Sequence, residues 1–199
     1  MRKLIIAGNW KLNKTNQEAI ELVTLLKRDL SDVGDVDIVV CPAATALSDV
    51  SDSLTESNIG VGAQNIYWED EGAFTGEISA PFLKSIGVQY VIIGHSERRQ
   101  YFGETDETVN KKIKAALSHG LTPIVCVGEV LEDRESGKTF EVIEQQCRGG
   151  LVGLTAEEIG KIVMAYEPVW ANGTGKTATP DQAQELDEVI RDLLASLYN

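Results

Sequence analysis

Short apolar runs recur along the chain at residues 4–7, 36–41, 59–63, 90–93, 123–127 and 162–166. Each is nearly continuous rather than alternating, the pattern of parallel strands covered on both faces. Helical spacing fills the intervals. Thr15-Asn16-Gln17-Glu18 reads as a capping box, and Ala19, Leu22, Val23, Leu26, Leu30 and Val33 follow on one helical face. Val109, Ile113, Ala116 and Leu117 form a second stripe, which Gly120 closes. Thr179-Pro180-Asp181-Gln182 opens a last helix, whose buried face is Leu186, Val189, Ile190, Leu193, Leu194 and Leu197. Strands alternating with helices imply an α/β fold with right-handed crossovers.

No linker rich in Pro, Gly or Ser interrupts the pattern. A chain of 199 residues, 43% hydrophobic, has enough material for one core, so residues 1–199 read as a single domain. An open sheet and a closed barrel both present ligands at the carboxyl ends of their strands. Polar residues follow most of these ends: Asn9 and Lys11, Gln64 and Asn65, His95 with Ser96 and Glu97, Glu129, and Glu167. A barrel gathers such ends at one mouth, which favours the barrel. The glycine-rich dinucleotide fingerprint follows none of the strands.

A formal charge of −13 and a pI near 4.6 argue against nucleic acid or a membrane surface as partner. The apolar run near the start is too short for a signal peptide, and no run has the length of a membrane span. Cys41, Cys126 and Cys147 lack close spacing, and two of them sit in apolar runs. Buried thiols in a cytoplasmic protein are the expectation.

The stretch from Tyr166 to Ala178 is the richest in chemistry. It places Glu167 at the end of an apolar run, then a stiff Pro168-Val169-Trp170 segment, then Gly173 and Gly175. That is a base on a strand end followed by a hinged loop. Its tail, Gly175-Lys176-Thr177, matches part of a phosphate-binding loop, but Trp170 stands where that motif needs glycine. His95 precedes Ser96-Glu97-Arg98-Arg99, a short helix whose N-terminus disfavours a charged imidazole. A neutral donor at a strand end fits there. His119, the other histidine, reads as a surface residue at a helix end. Lys11 beside Asn9 offers a cation and an amide for an anionic substrate.

Taken together, Gly8-Asn9-Trp10-Lys11-Leu12-Asn13, Gly62-Ala63-Gln64-Asn65, Gly76-Glu77-Ile78-Ser79, Ile93-Gly94-His95-Ser96-Glu97-Arg98-Arg99 and the loop after Tyr166 resemble the triosephosphate isomerase family. The match runs in order along the whole chain. The resemblance implies a TIM (β/α)8 barrel, represented here by the first six βα units. It also implies interconversion of dihydroxyacetone phosphate and D-glyceraldehyde 3-phosphate through an enediolate, in glycolysis and gluconeogenesis, with neither metal nor organic cofactor. By position, Glu167 would be the proton acceptor and His95 the electrophile. Lys11 and Asn9 would bind substrate and its developing charge, and the Gly173 N–H would bind phosphate. A homodimer is implied, with Gln64, Asn65, Thr75 and Glu77 in the contact loop.

This sequence departs from the family in two ways. Two βα units with phosphate-binding turns are not among these residues, which leaves the first and sixth strands with bare edges. Little or no turnover is expected from this polypeptide alone. Asn172 stands where the family usually has isoleucine, and an amide shields the base less from water, so a full-length version with Asn172→Ile should gain in turnover. The other readings are a different phosphosugar-binding barrel and a non-catalytic fragment acting only in dimerisation.

Overall fold

The computed structural model describes residues 4–172, 175 and 177–198. The chain divides into two compact units, one of Met1–Ile92 with Ala115–Pro123 and one of Ile93–Lys114 with Ile124–Asn199.

The first unit contains β1 (Leu4–Asn9), α1 (Asn16–Asp29), β2 (Val36–Cys41), α2 (Leu47–Ser53), β3 (Ile59–Ala63), α3 (Ala80–Ser85) and most of β4 (Tyr90–Ile93). The strands pair in parallel and in chain order, with Leu4 opposite Val36, Ile38 opposite Ile59, and Gly62 opposite Tyr90. Helix α1 starts where its capping box dictates: Glu18 Oε2 accepts the Thr15 N–H at 2.8 Å, and Thr15 Oγ1 accepts the Glu18 N–H at 3.4 Å. Its Ala19 and Val23 are fully buried, and Val39, Val50, Val61 and Leu83 lie in the same apolar interior.

Strands β2, β3 and β4 have the bounds expected from sequence, while β1 runs on to Asn9. Pairing with β2 continues to Asn9 opposite Cys41, and the Trp10 N–H donates to the Cys41 carbonyl at 3.1 Å. Asn9 is therefore the last residue of the strand rather than a residue that follows it. Cover on both faces does not extend to β1, where Leu4 and Ile6 are 67% and 64% exposed. The reason is topological: among the described residues, β2 is the one strand paired with β1.

The second unit holds α4 (Ser96–Phe102), most of α5 (Asp106–Ser118) and β5 (Thr122–Val127), then α6 (Leu131–Glu135) and α7 (Thr139–Leu151). After α8 (Ala156–Ile159) come β6 (Val163–Tyr166) and α9 (Pro180–Tyr198). Strands β5 and β6 pair in parallel from Ile124 opposite Val163 to Val127 opposite Tyr166. Val109, Ile113, Ile143, Leu151, Leu186 and Ile190 fill the interior. Polar ties sit at its margins. Asn110 Nδ2 donates to the Gly150 and Val152 carbonyls at 2.9 Å each, and the Tyr198 hydroxyl donates to the Leu151 carbonyl at 2.8 Å. No helix among the described residues is long and apolar enough to cross a membrane.

Candidate active site

In the second unit, β4 ends at Ile93 and hands the chain through Gly94 to His95. Gly94 has φ +75°, and a Cβ there would lie 3.1 Å from Val109 and 3.2 Å from the Cys126 carbonyl oxygen, so glycine alone fits without displacement. His95 then caps α4, its Nδ1 accepting the Glu97 N–H at 3.2 Å. A nitrogen that accepts carries no proton, which assigns the ring proton to Nε2. The Glu97 carboxylate also approaches Nδ1, at 3.4 Å, but its side chain is 42% exposed, and the directed N–H bond decides the tautomer.

Glu167 follows β6, and its N–H extends the ladder to the Val127 carbonyl at 2.8 Å. Its backbone passes so close to Gly128 that a Cβ there would sit 1.8 Å from the Glu167 carbonyl oxygen. The carboxylate turns toward α4. Oε2 accepts the Ser96 N–H at 3.1 Å, and Oε1 accepts the Ser96 hydroxyl at 2.7 Å and Asn172 Nδ2 at 2.6 Å. His95 Nε2 stands 3.2 Å from Oε1, and the two side chains are only 11% and 16% exposed. A shielded carboxylate beside an imidazole N–H is suited to moving a proton next to a polarised carbonyl.

The segment after Glu167 is anchored at its start. A 3-10 turn, Val169–Ala171, carries Trp170 inward, and Trp170 Nε1 donates to Glu129 Oε1 at 2.9 Å. The wholly buried Glu129 also accepts the Tyr166 hydroxyl at 3.1 Å and Arg134 Nη1 at 3.0 Å. The Arg134 guanidinium lies 4.6 Å from the centre of the Trp170 ring. Burial, with the Glu129 carboxylate beside it, pushes the Tyr166 phenol up to about 12, so it remains a donor. The expected phosphate ligand Gly173 lies outside the described residues.

In the first unit, Asn9 Oδ1 accepts the Lys11 N–H at 3.0 Å. Lys11 takes the left-handed conformation, φ +54°, uncommon for a residue with a side chain. Gln64 Nε2 donates to the Lys11 and Cys41 carbonyls at 2.9 Å each, so this side chain is an internal strut holding the Lys11 backbone. Asn65 is half-buried, while Thr75 and Glu77 are exposed. Between them the Tyr67 N–H donates to the Ile78 carbonyl at 2.8 Å, and the Tyr67 ring packs 4.1 Å from Trp68 and 4.7 Å from Phe74.

Sequence reasoning named His95 and Glu167 but missed Ser96 and the Asn172 amide as donors to the carboxylate, and Glu129 as the anchor of Trp170. A signal for Ser96 was present. It is the first residue of a helix, where backbone N–H groups have no intrahelical partner.

A family profile described as "Triosephosphate isomerase" matches residues 4–199. Curated relatives of the same name include one from Endomicrobium trichonymphae, 58% identical over 198 residues. Another, from Carboxydothermus hydrogenoformans, is 59% identical over 198 residues. A third, from Alkaliphilus oremlandii, is 54% identical over 198 residues. Each alignment covers the whole of this chain and 79% of the relative. The chain therefore belongs to the triosephosphate isomerase family of TIM-barrel isomerases, of which these residues supply six βα units.

Proposed function

We propose that the chain acts on triose phosphates, interconverting dihydroxyacetone phosphate and D-glyceraldehyde 3-phosphate in the cytoplasm, as a homodimer in glycolysis and gluconeogenesis. Glu167 takes a proton from one substrate carbon, the bonding electrons pass into an enediolate, and the proton returns to the neighbouring carbon. His95 Nε2–H serves the oxygens that gain charge. Lys11 and Asn9 bind the substrate and its developing charge, Gly173 binds phosphate, and the chain works as one domain. The observation that carries this reading is the 3.2 Å approach of His95 Nε2 to Glu167 Oε1, with both groups withdrawn from water. Shielding matters because an exposed enediolate would lose its phosphate.

The polypeptide of these 199 residues turns over slowly in this reading, since Gly173 would bind phosphate without the two further phosphate-binding turns that the family implies, and with them goes binding energy that favours the transition state. A coupled isomerase assay tests both points, with Glu167→Gln as the matched chain. We expect slow interconversion that Glu167→Gln lowers by about 100-fold or more, the usual contribution of a general base. Equal rates in the two chains would remove Glu167 from its role. No rate above that of buffer would overturn the reading for this polypeptide.

A further inference from the structure

Glu167 is held by more donors than a working base needs. Oε2 accepts the Ser96 N–H, and Oε1 accepts both the Ser96 hydroxyl and Asn172 Nδ2. Each such bond occupies a lone pair that an incoming carbon-bound proton would require, and each favours the carboxylate where it lies. The Ser96 donors come from the first residue of α4, next to His95, and belong to the frame of the site. The Asn172 amide is different. It comes from the segment that follows Glu167, it is exposed, and its 2.6 Å contact is the shortest of the three. Its exposure means that no packing requirement accounts for it.

We propose that Asn172 is a positioning residue that restrains the Glu167 carboxylate against α4 and so limits how readily the base reaches substrate. The kinetic part of this inference rests on the isomerase reading; the restraint itself does not. It differs from the loss of apolar cover expected from sequence at this position. Asn172→Ala removes the donor and adds no apolar cover, whereas Asn172→Leu removes the donor and adds cover. Restraint predicts a gain in both.

The experiment has two arms on the 199-residue chain. In the isomerase assay, Asn172→Ala and Asn172→Leu should each raise kcat about three- to tenfold, the range for one ordinary solvent-exposed hydrogen bond, and leave KM unchanged. A gain in Asn172→Leu alone would assign the effect to apolar cover and overturn the proposal, as would no gain in either. In the second arm, the chain is labelled with nitrogen-15, and the side-chain amide of Asn172, assigned by its loss in Asn172→Ala, is followed by NMR. One of its protons should be shifted downfield and slow to exchange, and Glu167→Ala should abolish both properties. An amide indifferent to Glu167→Ala would overturn the restraint. If the unaltered chain shows no turnover, the isomerase reading fails for this polypeptide, and the amide signal alone decides the restraint.

Discussion

Glu167 owes its place to Gly128 as much as to the strand that delivers it. A Cβ at Gly128 would lie 1.8 Å from the Glu167 carbonyl oxygen, a contact of backbone with backbone that no side-chain rotation relieves. Gly128→Ala must displace the segment that carries Glu167. We expect kcat/KM to fall about 100-fold, the scale of an ångström's misplacement, with circular dichroism unchanged. Full activity in Gly128→Ala would show that the base is positioned by something else. At this scale the sequence was readable where a residue carries its own signal. His95 and Glu167 follow strand ends and sit in distinctive motifs. Ser96 carried a signal as a donor, but its acceptor did not, because the two residues are separated by 71 positions and meet only once two elements converge. The Asn172 bond spans five positions and depends on the turn after Glu167, which no periodic pattern announces.

The element that holds His95 and Ser96, α4, is itself tied down by a buried charge network. Arg98 Nε on α4 donates to Glu104 Oε1 at 2.5 Å, and Lys112 on α5 donates to the same oxygen. Burial alone would push the Glu104 carboxyl upward. The bonds from Lys112 and Arg98 outweigh it and hold the group below its ordinary value. A carboxyl depressed on folding stabilises the fold above its unfolded value and loses that contribution as pH falls through the folded one. Removing the charge takes this carboxylate away from the buried Lys112 and the half-buried Arg98. Glu104→Gln should therefore destabilise the chain by about 3 kcal/mol at neutral pH. The gap between the two chains should narrow as pH drops below about 4.5. Urea unfolding at pH 7 and in acid measures it, and a gap independent of pH would acquit the network. The elements themselves were legible from apolar runs and capping residues. This network was not, since Glu104, Arg98 and Lys112 look like ordinary solvated charges until two helices bring them together.

At the scale of the whole molecule, two kinds of self-association compete. The proposed homodimer uses the loop that carries Thr75 and Glu77. The edges are the other route. Strands β1 and β6 each have one strand neighbour among the described residues, and Leu4 and Ile6 on β1 are exposed. Sedimentation separates them. A dimer through the loop gives one defined species that Thr75→Glu converts to monomer, whereas edge pairing gives an open series that Thr75→Glu leaves intact. We expect the defined species. The bare edges were legible in the sequence, but not the bracing of the loop by Tyr67, Trp68 and Phe74, because ring stacking depends on a turn that no periodic pattern announces. That bracing has a calorimetric consequence. The Tyr67–Ile78 bond and the stacked rings order the loop before any partner arrives. In the proposed homodimer its docking would include no folding step, so the heat-capacity change of association should follow the apolar area buried and nothing more.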